Sequence, residues 1–252
     1  MNSHTIMKSE NAFTLIELVA AIAVLALLAA IAVPVLANSG QSARRASEAA
    51  AARSISAAMH MYTSENNGSV LPGYVTTTGV TGSQGEALSG EKAKRYPWRL
   101  APFLGGDTRN SFLASGQKID DGGNLSYLIS LVPSFGMNTR FVGGDENQSP
   151  NPFNRRLAAR FAQQGGVTRM SQVTRPSQLI AFVSASYDGS MGGGKQPGFF
   201  KVDYPDRNVD FRHAGEKALV VFLDGHTEML GREALSDESL WKNLPEPNYA
   251  MQ

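Results

Sequence analysis

The 252-residue chain contains no cysteine. That absence removes disulfide scaffolds, thiolate zinc sites and cysteine nucleophiles together. It says nothing of compartment, because a cysteine-free chain is at home in oxidising or reducing surroundings. An excess of either charge is also missing. With 23 Lys+Arg against 22 Asp+Glu the formal net charge is +1, which excludes a sequence-independent grip on phosphates as the main activity, so no nucleic acid is expected as principal ligand. Charged residues make up only 18% of the chain, below the roughly 25% of ordinary soluble domains. There is no internal repeat.

One long apolar run is present. From Phe13 to Ala37 the sequence reads FTLIELVAAIAVLALLAAIAVPVLA, with Glu17 as its single charge. As a helix it would extend about 37 Å, enough to cross a hydrocarbon core of about 30 Å with some tilt. A core helix is seldom apolar on every face, and a cleaved secretory signal has a run of only about 7–15 residues. A membrane helix is the expectation that remains. Within it Glu17 is costly, and a carboxylate placed there marks a functional partner. Cleavage between Ala12 and Phe13 would create an α-amine, a cation that could meet Glu17 of a neighbouring subunit and set its axial register.

The segment Ala12-Phe13-Thr14-Leu15-Ile16-Glu17 and the apolar helix after it resemble the N-terminus of type IV pilins and type II secretion pseudopilins. The resemblance implies that a prepilin peptidase removes residues 1–12 and methylates Phe13, and that Glu17 is the assembly residue. Ala12 stands where that family usually has Gly. Pro34, the 22nd residue from Phe13, matches a helix-kinking proline of many pilins. Further implied are an inner-membrane location with the N-terminus cytoplasmic and the bulk extracytoplasmic, and partnership with other pilin subunits and an assembly platform. The positive-inside rule alone points the other way, since Arg44, Arg45 and Arg53 follow the span while only Lys8 precedes it.

Beyond the span, residues 38–62 are Ala-rich and are read as an outward continuation of the helix, with Ser39-Gly40 as a soft point. Ile55, Ala58, Met59 and Tyr62 share one face by three- and four-residue spacing, a stripe suited to packing on a sheet. Gly68 and Pro72 are stop signals. Residues 63–252 then read as one loop-rich domain of about 190 residues, large enough for its own core. Within it the spacing predicts a compact aromatic segment at 96–105, a short amphipathic helix at 154–164 and a buried strand at 177–185.

Near the C-terminus, Ala218–Leu223 and His226–Leu230 are β-prone runs separated by Asp224-Gly225, which predicts a hairpin with a type I′ turn. Together with Arg212-His213 upstream, Asp224-Gly225-His226 resembles the C-terminal H-x9-DG motif that accompanies prepilin-type N-termini in a group of planctomycete and verrucomicrobial proteins. Ten residues, not nine, separate His213 from Asp224. His213, Asp224 and His226 could be read as a metal or acid–base cluster; the favoured reading is structural, with His213 tying its loop to the hairpin. Gly189–Lys195 satisfies G-x-x-x-x-G-K, but Gln196 follows instead of Ser or Thr and Pro197-Gly198 forbids a helix, so no phosphate loop is expected.

The expected fold is therefore α+β and pilin-like: a long N-terminal helix against a small antiparallel sheet with irregular loops. The expected function is that of a structural subunit of a secretion pseudopilus or type IV-like pilus, with no enzyme activity, no cofactor and no metal. The alternative is a membrane-anchored surface binding protein or enzyme that uses a pilin-type export signal.

Overall fold

The computed structural model describes residues 15–76, 79–82, 85–115, 124–187 and 196–245, without the side chains of 31–39. Helix α1 runs from Leu15 to Glu65. The chain divides into two compact units, Met1–Ala43 and Arg44–Gln252.

In the first unit every side chain from Leu15 to Ala30 is exposed. Among the described residues no helix is long and apolar enough to cross a membrane; the apolar run at 13–37 extends past both ends of this stretch. The helix is continuous through positions 34, 39 and 40.

In the second unit α1 is amphipathic, and alanine, the best helix former, supplies much of its length. Ala51, Ala52, Ile55, Ala58 and Met59 are buried, and Tyr62 packs partly buried beside them. The expected stripe is thus the packed one. Full burial of Ile55 alone removes apolar surface worth about 2 kcal/mol from water. The helix ends where Asn67 and Gly68 turn left-handed (φ 53° and 78°). There the Gly68 amide donates to Thr63 O at 2.9 Å and the Asn66 side chain donates to Tyr62 O at 2.8 Å, satisfying carbonyls that the helix leaves open.

Short helical pieces follow: α2 (Glu91–Lys94), α3 (Pro97–Leu100), α4 (Thr108–Phe112) and α5 (Leu125–Leu131). Tyr96 and Trp98 of the expected aromatic segment are fully buried. The chain then forms β1 (Phe135–Met137), α6 (Ala158–Gln163), β2 (Ile180–Ser184), β3 (Ser186–Tyr187), β4 (Gln196–Pro197), β5 (Lys217–Phe222), β6 (Thr227–Gly231) and α7 (Arg232–Leu235). The main sheet has the order β1-β2-β5-β6, antiparallel throughout. β2 lies second in it and all five of its residues are buried, which explains a continuous apolar run rather than an alternating one. The Tyr96 hydroxyl donates to Phe135 O at 2.6 Å and its ring sits 5.3 Å from that of Phe182, joining the aromatic segment to β1 and β2. The α+β, pilin-like architecture read from sequence is the one observed.

Three local expectations shift. The helix expected over 154–164 begins only at Ala158, because Asn154 Oδ1 accepts from the Arg156 amide at 3.0 Å and folds the preceding residues into a side-chain-closed turn. The strand expected from Ser177 starts at Ile180, after a 3-10 turn at Pro176–Gln178. In the β5–β6 hairpin only Gly225 takes positive φ (96°). The Phe222 amide donates to His226 O at 3.0 Å and the Gly225 amide to Phe222 O at 2.9 Å, so the loop has three residues with one left-handed glycine, not the two positive φ values of a type I′ turn.

Candidate functional site

Two groups of residues carry the functional reading. The first is at the start of α1. Glu17 lies on that helix, exposed like its apolar neighbours Leu15, Ile16, Leu18 and Val19. Ala12 and Phe13 lie outside the described residues, and Pro34 falls within α1 in the stretch whose side chains are not described. The Gly189–Lys195 loop is also outside them.

The second group is built around Arg212, on the loop before β5. Its guanidinium donates from Nε to Glu48 Oε2 at 3.1 Å and from Nη1 to Asp210 Oδ2 at 3.0 Å. Nη1 also reaches Ala185 O at 3.1 Å, and Nη2 reaches Ser134 O at 3.0 Å. One side chain therefore joins α1, the residue before β1, the residue after β2 and its own loop. Arginine suits the task because its donors form a rigid planar fork that stays charged. The Glu48 side chain is only 4% exposed, so this carboxylate depends on its partners.

His213 is buried beside the same pair. Its Nε2 lies 3.1 Å from Glu48 Oε2 without the alignment of a hydrogen bond. Its backbone exchanges hydrogen bonds with Lys217 across a three-residue loop, N to O at 3.1 Å and O to N at 3.3 Å. The link from His213 to the hairpin strand is thus made by main chain, while the imidazole faces α1.

Asp224 and Gly225 are at the far end of β5. Asp224 Oδ1 is 2.6 Å from His226 Nδ1 and accepts from the His226 amide at 3.1 Å. Burial acts to raise the Asp224 carboxyl, but the hydrogen bonds from His226 outweigh it and hold the group below its ordinary range. The His226 ring stacks on Phe222, with centroids 4.3 Å apart. A Cβ on Gly225 would stand 3.0 Å from Ser56 Oγ of α1 and 3.4 Å from His60 Nε2, so this turn sits against the helix. His213 and Asp224 are consequently held at opposite ends of a six-residue strand and form no joint cluster. Among the described residues no group of three or more His, Asp or Glu side chains is placed to hold a metal ion.

Sequence reading singled out His213 and Asp224 but missed Glu48. The signal was available: Glu48 is the only acid between Glu17 and Glu65 in α1.

No curated protein and no solved structure matches the chain. Residues 7–33 match the family model of the prokaryotic N-terminal methylation motif. That span includes Glu17 of α1, and the match gives the chain a prepilin-type N-terminus.

Proposed function

We propose that the protein is a pilin-like structural subunit and not an enzyme. In this reading the prepilin peptidase cuts between Ala12 and Phe13 and methylates the Phe13 amine, and Glu17 pairs with that amine on a neighbouring subunit. Before assembly the helix at 13–37 anchors the chain in the bacterial inner membrane, N-terminus inside. After assembly the same apolar surface packs against other subunits in a secretion pseudopilus or type IV-like pilus. Pro34 would bend the helix there, and the Arg212–His213 loop with the Asp224-Gly225 turn would hold the domain on α1. The observation that carries the reading is the methylation-motif match over residues 7–33, joined to a helix whose first sixteen described residues are exposed and apolar save Glu17.

The test is Glu17→Ala in a strain that assembles filaments. The variant domain is expected to fold and the chain to be cleaved, with incorporation lost; normal incorporation would overturn the role of Glu17. Intact mass of the mature chain reports cleavage after Ala12 and one added methyl on Phe13.

A further inference from the structure

A polar cleft of about 250 Å³ lies in the second unit, between the Thr139–Pro150 loop, α6 and the residues after β4. Two pairs of opposite charges line it: Asp145 with Lys201, and Asp203 with Arg140. The first pair is spent internally. Lys201 Nζ donates to Asp145 Oδ2 at 2.9 Å, and Asp145 Oδ1 accepts from the Asn147 amide at 2.8 Å.

The second pair is not spent. The Asp203 backbone is fixed by reciprocal hydrogen bonds with Arg207 at 3.1 and 2.9 Å. Among the described residues, however, no donor or ion-pair partner reaches its carboxylate. Burial pushes that carboxyl up, while Lys201, Arg140 and Arg207 pull against the shift from a distance. Partly buried carboxylates are normally hydrogen-bonded, and one left open in a cleft is a vacant acceptor. The Arg140 guanidinium rests over the Phe141 ring at 5.6 Å, and among the described residues no hydrogen bond uses its donors. Among the described residues the cleft thus presents an uncommitted anion, Asp203, and an uncommitted cation, Arg140, with Phe161 and Pro150 as apolar lining.

An anionic ligand would face Asp203 and a cationic one would face Arg140. A neutral polyol would leave both charges without counter-ions. We propose that the cleft binds a small zwitterion, an α-amino acid whose ammonium meets Asp203 and whose carboxylate meets Arg140, with its side chain toward Phe161 and Pro150. Both contacts are charge-assisted, and a guanidinium takes a carboxylate through two parallel bonds.

The test is calorimetric titration of the full chain in detergent with the ordinary L-α-amino acids, with glycine betaine and with D-glucose. At least one amino acid should saturate the protein, and Asp203→Asn and Arg140→Gln should each weaken it by about tenfold or more. Both variants should melt as the parent does, and Glu233→Gln, outside the cleft, should bind unchanged. Glycine betaine, which has no ammonium hydrogen for Asp203, should bind at least about tenfold more weakly. The proposal is overturned if no amino acid saturates by about 10 mM, if binding persists in both variants, or if D-glucose binds where the amino acids do not.

Discussion

Two stretches of one helix solve opposite problems. From Leu15 to Ala30, α1 is apolar all round apart from Glu17, and every side chain is exposed. From Glu48 to Thr63 it is mixed in composition, yet Ala52, Ile55 and Ala58 are completely buried. A helix that meets its partner within the same chain needs one apolar stripe and spends its other faces on polar residues. A helix that is apolar on all faces has its partner elsewhere, in lipid or in other helices. The stripe of the second stretch is closed by one polar lock, Arg212 on Glu48, and by the close approach of the Gly225 turn to Ser56.

The sharpest way to break this comparison is to remove the lock. Arg212→Ala leaves the Glu48 carboxylate buried with its guanidinium gone, and should cost about 3–4 kcal/mol in urea unfolding of the detergent-solubilised chain. A cost under about 1 kcal/mol would show that the cluster does not hold α1 on the sheet.

Matched truncations come next. Ile55→Ala should cost about 3 kcal/mol, because the site is fully buried and cannot collapse. Ile22→Ala, at an exposed position of the first unit, should leave unfolding within about 0.5 kcal/mol of the parent while weakening filament incorporation. Equal destabilisation by the two would erase the distinction between the stretches.

Gly225→Ala is smaller. Its left-handed φ and the 3.0 Å approach to Ser56 Oγ should together cost about 1–2 kcal/mol, read as a lower Tm. The smallest effect concerns pH. The Asp224 carboxyl is held below its ordinary range in the fold, so its contribution is complete above the unfolded pKa of about 3.9. It is lost as pH falls through the lower folded value. Asp224→Asn should flatten that acid limb by less than about 1 kcal/mol, since the pair with His226 is well solvated. An unchanged acid limb in the variant would remove His226 as the cause.

How much was legible in the sequence depended on how local the physics was. The 3.6-residue spacing of Ile55, Ala58, Met59 and Tyr62 marks a packed face without reference to any partner, and the structure packs that face. The β-prone runs on either side of Asp224-Gly225 mark a hairpin, and it forms. Its loop type was misjudged because Asp-Gly is compatible with more than one hairpin loop, and the Phe222–His226 pairing selects the three-residue one. The start of α6 was placed too early because Asn154 has a competing local partner in the Arg156 amide. Glu48 was missed because its partners, Arg212 and His213, lie some 160 residues away in the chain.

The order of the residues alone determined that residues 13–37 are apolar around their circumference, that the one charge there is Glu17, and that a small α+β domain follows. Those are properties of composition and period, which need no knowledge of what touches what. Only the tertiary structure decided that Arg212 holds Glu48, that His213 and Asp224 stay at opposite ends of β5, and that Asp203 and Arg140 line one cleft with their charges unspent. Each is a meeting of side chains distant in sequence, fixed by how α1, the sheet and the loops pack, and no local pattern encodes such a meeting.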